Sequence, residues 1–327
     1  MTTNVAQSPA GKREPAIRWR ACCAFLGLCV LAVSSPAHAL PAQLQDLLDD
    51  PKAAQAVDFC DRTSADTDAE IEALGEVMEN SEKVYTERQI ASAVILSAGI
   101  KVASAHPDDC QLTFDAGKAR FDAQVETFTK LLKGKNRYSK SRNADIAAAQ
   151  RSISDLWLRD QIARQAYVAL NTEDRTGAEF WGWRLATANT VLVDEEATAL
   201  MKDLLETYDW IDRDRFGRKI SEHAWLLVQH ADDHPEFQAL ALSRMQPFLE
   251  TGGVKGSNYA YLWDRVAINT GERQRYGTQP VWVCNEDGTL NLHPMEDPEN
   301  VDARRAAIGM RGMQAELDQM AGNFCAH

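Results

Sequence analysis

The chain has 327 residues, 45% of them hydrophobic and 25% charged, a mixture that supports a packed core and excludes bulk disorder. Its net charge of -13, from 35 basic and 48 acidic residues, has the wrong sign for a general nucleic-acid binder, because phosphate contacts need cations.

The first 39 residues read as an export signal. Lys12, Arg13, Arg18 and Arg20 form a basic stretch, Ala21 to Ser35 an apolar run, and Ala37-His38-Ala39 a small-residue cleavage site. The run is too short to span a membrane as a helix, which takes ~20 apolar residues. Cleavage near Ala39 predicts a periplasmic or secreted protein with no membrane span in the mature chain. It removes four of the basic residues and one acidic one, so the mature chain is more acidic still. Cys60, Cys110, Cys284 and Cys325 remain. An even number of cysteines in an oxidising compartment predicts two disulfides. Of the three possible pairings, grouping by segment favours Cys60–Cys110 and Cys284–Cys325. No C-x-x-C spacing supports a zinc ribbon or a thioredoxin-type site.

Apolar residues at three- and four-residue steps predict helices over Gln43–Leu48, Asp68–Asn80, Glu87–Ala103 and Phe114–Leu132, with His106-Pro107-Asp108-Asp109 as a break. Gly134 to Arg142 is basic and polar and reads as a linker. It divides a helical region, 40–143, from a C-terminal helical domain, 144–327. There the pattern predicts helices over Ile153–Leu170, Glu195–Tyr208, Ile220–Ala231, Pro235–Leu249, Asn258–Asn269 and Val301–Met320, the last capped by Asn300. Gly309-Met310-Arg311-Gly312 reads as close helix packing or a break. Alternation in Val281-Trp282-Val283 and Leu290–Leu292 around Gly288 predicts one small hairpin. The fold class is therefore mainly α: a multi-helix orthogonal bundle with one hairpin near 281–292.

Polar residues interrupt the apolar faces. Ile153, Leu156, Trp157, Tyr167 and Val168 share one face of their helix, and Asp160 and Arg164 fall in the middle of it, spaced to pair. Charges on a core-facing stripe are costly unless paired. His223 and His230 flank the stripe of the next helix, beside Gln229 and Asp232. His230 and His234 have the spacing of a zinc pair, but Ala231 stands where a zincin carries Glu, and Pro235 restarts the chain. No metal or cofactor is expected, and His234 reads as a helix cap. No nucleophile elbow, Walker loop or dinucleotide fingerprint occurs.

Five ordered motifs carry a resemblance. Asp160-Gln161-x-x-Arg164, Gln229-His230-Ala231-Asp232, Tyr259-Ala260-x-Leu262-x-Asp264-Arg265, Gln274-Arg275-Tyr276-Gly277-Thr278-Gln279 and Glu296-Asp297-Pro298-x-x-Val301-Asp302-x-Arg304-Arg305 resemble the bacterial domain-of-unknown-function family numbered 6624, over residues 150–312. The family often has Gly-Trp-Pro where this chain has Asp209-Trp210-Ile211. The resemblance implies no activity and no cofactor. The residues themselves leave three readings open. An inter-helix pocket would bind a small polar or anionic ligand or a partner segment through Gln161, Arg164, Gln229, Arg265, Tyr276, Thr278, Gln279 and Arg305. A hydrolase would use His230 as general base, Asp160 or Asp264 to orient it, and Arg164 or Arg265 to stabilise charge. A structural or interaction protein would bury the same residues as a satisfied network, with Asp160, Asp264 and Asp302 neutralising the arginines.

Overall fold

Helix α1 (Ala42–Leu48) opens the part of the chain that the structure, a computed structural model, describes: residues 40–64, 66–80 and 84–325. The expected signal peptide lies outside the described residues. Short polar side chains start several of the helices by accepting otherwise orphaned N–H groups. Asp50 caps α2 (Pro51–Gln55), and Asp66 caps α3 (Thr67–Glu79). Thr86 and Gln89 form a reciprocal capping box on α4 (Glu87–Ala105). After α5 (Cys110–Leu132), Asn143 caps α6 (Ala144–Leu170) by accepting from Asp145 and Ile146. Residues 178 to 208 form the 31-residue α7 (Ala178–Tyr208). Then come α8 (Arg213–Phe216), α9 (Arg218–Gln229), α10 (Pro235–Met245) and α11 (Gly256–Asn269). Strands β1 (Pro280–Cys284) and β2 (Leu290–Leu292) pair antiparallel, and α12 (Val301–Ala307) and α13 (Met313–Phe324) follow.

Two hydrophobic cores form, and α7 runs through both. The first gathers Leu44, Leu48, Phe59, Leu74 and α4, buried throughout from Ile90 to Ile100, around Phe180, Trp181, Leu185 and Ala188. The second gathers Ile153, Leu156, Trp210, Phe216, Leu227, Phe237 and Tyr259 around Val193, Ala197, Met201 and Leu205. Helices α5 and α7 cross at Gly117 and Gly182. A Cβ on Gly182 would meet the Gly117 carbonyl at 2.8 Å, and one on Gly117 would meet the Ala178 carbonyl at 2.6 Å. Glycine is what this approach of two backbones permits. The basic segment before α6 is tied down from that helix. Gln150 accepts from Ser141 N and donates to the carbonyls of Ser139 and Phe216, and Ser154 donates to that of Asn136.

The mainly α expectation with one hairpin describes this structure. The differences are local. The expected helix from Glu195 begins at Ala178, because its Thr- and Ala-rich first half has weak contrast between faces. The expected helix over 301–320 is broken between α12 and α13, where Gly309 takes φ +72°. Asn300 gives its side chain to Asp297 rather than to the helix. Cys60 bonds Cys110, and Cys284 bonds Cys325, the latter fastening the hairpin to α13 beside an edge-to-face Trp282–Phe324 contact.

Helix α7 ends in a tight reversal. Asp209 has φ 60° and ψ -64°, and Trp210 N bonds the Tyr208 carbonyl two residues back at 2.7 Å. That is a γ-turn in its strained form, at a residue with a Cβ. Asp209→Gly is expected to stabilise the protein by ~1 kcal/mol, since glycine meets this geometry without steric cost and the lost Arg244 ion pair is exposed. Urea unfolding would show a raised midpoint; a lowered one would mean that the ion pair outweighs the strain.

Candidate functional site

Asp160 and Arg164 stand one turn apart on the apolar face of α6, pointing to the place where α7 passes from one core to the other. Asp160 is 1% exposed. Its Oδ1 lies 2.8 Å from Arg164 Nε and 2.7 Å from Nδ1 of His230, the residue that closes α9. Gln161 donates to the other oxygen at 2.8 Å. Arg164 Nη2 reaches Asp194 Oδ1 on α7 at 2.6 Å. Arg164 Nε also stands 2.9 Å from His230 Nδ1. A carboxylate can only accept, so both nitrogens direct their hydrogens at Asp160 Oδ1. That places the imidazole proton on Nδ1 and leaves the lone pair on Nε2, for which no hydrogen-bond partner occurs among the described residues.

The turn after α9 is held by a second carboxylate. Asp232 accepts from Arg265 of α11 through both Nε, at 2.7 Å, and Nη2. Asn269 and the fully buried Gln238 also donate to Asp232. Gln238 donates as well to the carbonyls of Val228 and Gln229, which fixes the end of α9 and so the direction of the His230 ring. His234 turns the other way, 3.6 Å from Glu87 of α4 and 3.4 Å from Glu236. The two histidines therefore serve different partners. His223 is a core residue stacked on Trp157 with centroids 3.9 Å apart, and burial pushes its pKa down to about 4.

Two carboxylates, Asp160 and Asp194, share one guanidinium, with Glu87 close enough to act on Asp194. Burial pushes Asp194 up to about 8; Arg164 opposes this, while Asp160 and Glu87 add to it. Burial also acts to raise Asp160, but the His230 hydrogen bond and the charges of His230 and Arg164 outweigh it and hold the carboxyl below its ordinary value. His230 lies below the usual imidazole range because burial and the Arg164 and Arg265 charges outweigh Asp160. Asp160, Asp194 and His230 offer one ligand atom each, all within 4.8 Å of one another, a donor set that a divalent cation accepts. Arg164 already touches all three at 2.6 to 2.9 Å, so the guanidinium takes the place of the cation.

Asp264 and the donor-rich loop form a separate network. The fully buried Asp264 carboxylate accepts from the backbone N–H of Arg275, Tyr276 and Thr278 and from the Thr278 hydroxyl, at 2.7 to 2.9 Å. Gln279 donates its backbone N–H to the Gln274 side chain and its amide to the Tyr261 carbonyl. The fully buried Arg305 donates to the carbonyls of Tyr276 and Arg311 and pairs with Glu316. Arg304 holds the carbonyls of Arg275, Glu296 and Asp297. Among the described residues no hydrogen bond joins this network to Asp160 and His230. The structure thus brings Asp160, Gln161, Arg164 and His230 together with Arg265 behind them, and sets Asp264, Tyr276, Thr278, Gln279 and Arg305 apart as the clasp of the loop. Gln229 is buried beside His230, with its Oε1 unpartnered. Sequence reasoning misses Asp194. Its signal is a lone acid on the stripe of Val193, Ala197 and Met201, visible only if the helix is started before Glu195.

Residues 156–322 match DUF6624, a family of unknown function, and the chain belongs to that family. The match takes in both networks and leaves out α1 to α5, and with them Glu87. No curated protein and no solved structure matches the chain.

Proposed function

We propose that this is an exported protein whose site between α6, α7 and α9 binds a small polar molecule and carries out acid–base chemistry of hydrolytic type on it. The observation that carries the reading is the Asp160–His230 pair, with its Nε2 lone pair unengaged and a second carboxyl, Asp194, close by. His230, neutral at pH 7, is the general base that draws a proton from water or a hydroxyl. Asp160 holds the imidazole in the required tautomer and steadies its charged form. Asp194, protonated near neutrality, returns a proton to the leaving group; environments that drive two pKa values apart assign the two roles. Arg164 and Arg265 are met by the Asp160 and Asp232 carboxylates, which favours an uncharged polar ligand over an anion. The side chains of His230, Asp194 and Arg164 remain 15%, 19% and 30% exposed, which supports an open cleft rather than a sealed structural network. Export rests on the pattern of residues 1–39 and agrees with the two disulfides. Among the described residues no helix is long and apolar enough to cross a membrane.

A panel of nitrophenyl esters, phosphates and glycosides tests this. Turnover of one class is expected, and His230→Gln is expected to reduce it ~10²–10⁴-fold without changing the melting profile. The rate should fall below the His230 pKa, as the base takes up a proton, and again above about 8, as Asp194 loses its proton. Asp194→Asn should abolish the alkaline limb. Full activity in His230→Gln, or no turnover of any class by the wild type, would overturn the reading.

A further inference from the structure

A second site lies where α3 meets the start of α7. Most arginines among the described residues, thirteen of twenty, lie against a carboxylate. Arg184 does not. Among the described residues its buried Nε has no hydrogen-bond partner, and its Nη2 meets only the thioether sulfur of Met78, at 3.2 Å. These two nitrogens form the edge by which Arg265 grips both oxygens of Asp232. On Arg184 that edge faces a weak acceptor on a flexible side chain.

Two further features mark the place. The indole Nε1 of Trp183 is a second buried donor without an acceptor. A second guanidinium, Arg175, lies over the same indole ring, at 5.4 Å from its centroid against 5.5 Å for Arg184. Arg175 donates to the carbonyls of Thr172 and Asp174 and makes no ion pair with a described carboxylate. Burial pushes Arg184 down to about 10, and the neighbouring Arg175 charge adds a smaller push in the same direction, against Tyr167. An orphaned buried donor is costly, and more so when it is charged. Phe180 and Tyr167 close the surroundings with aromatic rings.

We propose that the Nε/Nη2 edge of Arg184 is a binding fork for the carboxylate of a small molecule, with Met78 as the side chain it displaces. Two parallel N–H···O bonds replace one contact to sulfur, the ligand's negative charge answers both Arg184 and Arg175, and the aromatic rings favour an apolar body behind the carboxylate. The site is distinct from the Asp160–His230 pair, so the proposal stands or falls separately from the acid–base reading.

Titration of the whole protein with sodium benzoate at constant ionic strength, followed by NMR of the Trp183 indole N–H and the Met78 methyl group, tests it. Saturable shifts of both are expected. Arg184→Met keeps the length and apolar stem and should weaken the apparent affinity at least roughly tenfold. Met78→Ala frees the edge and should tighten it. Sodium acetate should give weaker saturation than benzoate, since it lacks the ring. Absence of saturation with both carboxylates, equal affinity in Arg184→Met, or a response to inorganic phosphate alone would overturn the assignment. Should Arg184→Met fail to fold, Arg184→Lys serves instead: it keeps a charge, loses the fork and is expected to bind more weakly than wild type.

Discussion

Arg164→Ala is expected to cost ~3–5 kcal/mol of stability near neutral pH, because it strips the cation from a cluster that stays in place around it. Asp160 is 1% exposed and Asp194 is largely enclosed; each would lose a guanidinium hydrogen bond at 2.8 and 2.6 Å. The direction with pH follows from the protons. Without Arg164 the Asp194 carboxyl, already pushed up to about 8, loses the charge that opposes its rise, and Asp160 loses one of the charges that lower it, so the folded variant holds protons to higher pH than the folded wild type. Its stability relative to the wild type therefore rises as pH falls. The wild type moves the other way at the acid end, because its Asp160 is held below the ordinary value and protonates only at a cost. The deficit should be largest above about pH 8, where Asp194 is ionised, and shrink as pH falls through about 8 and again at the acid end, where Asp160 takes up its proton, as urea unfolding at a series of pH values would measure. Arg164→Lys should fall between, since one ammonium cannot bond Asp160 and Asp194 in the same planar geometry. A loss under ~0.5 kcal/mol, or one independent of pH, would mean that the cluster relaxes to solvent when the arginine is gone.

Asp264→Ala is expected to cost at least ~4 kcal/mol and to release the loop from Gln274 to Gln279. The carboxylate is the acceptor for three backbone N–H groups and one hydroxyl, all buried except the half-buried N–H of Arg275. Its removal leaves four donors without partners, at ~1–3 kcal/mol for each that water cannot reach. Asp264→Asn should recover little, because its amide replaces an acceptor by a donor that faces other donors. The site-specific readout is amide hydrogen exchange at Arg275, Tyr276 and Thr278, slow in the wild type and fast in both variants. The hydrolytic reading assigns no role to Asp264, so any turnover should survive wherever Asp264→Asn remains folded. Slow exchange retained at those three amides would show that another acceptor holds the loop.

The difference between these two carboxylates explains what could be read from the chain. Local physics is periodic, and the sequence carries its period. Spacing of apolar residues, capping side chains and the alternation around Gly288 sufficed for a mainly α protein with one hairpin. The i,i+4 spacing of Asp160 and Arg164 sufficed for their pairing, because both ride one rigid helix. Even the disulfide partners were legible, since each pair lies within one segment of the chain.

Distances between elements obey no such period, and only the tertiary structure decided them. The motif residues look alike as a set of hydrogen-bonding types, yet Asp264 became the clasp of a loop and Asp160 the partner of a histidine. Which acceptor meets which donor depends on how α6, α9 and α11 pack, and packing sums weak contacts over the whole core. Asp194 entered the Arg164 cluster because α7 carries it there, a partner that its place on the stripe of its own helix does not name. Arg184 was an ordinary helical arginine in the sequence. Its want of a carboxylate among the described residues is a property of its surroundings, fixed when the fold sets the edge of its guanidinium against Met78 instead of an anion.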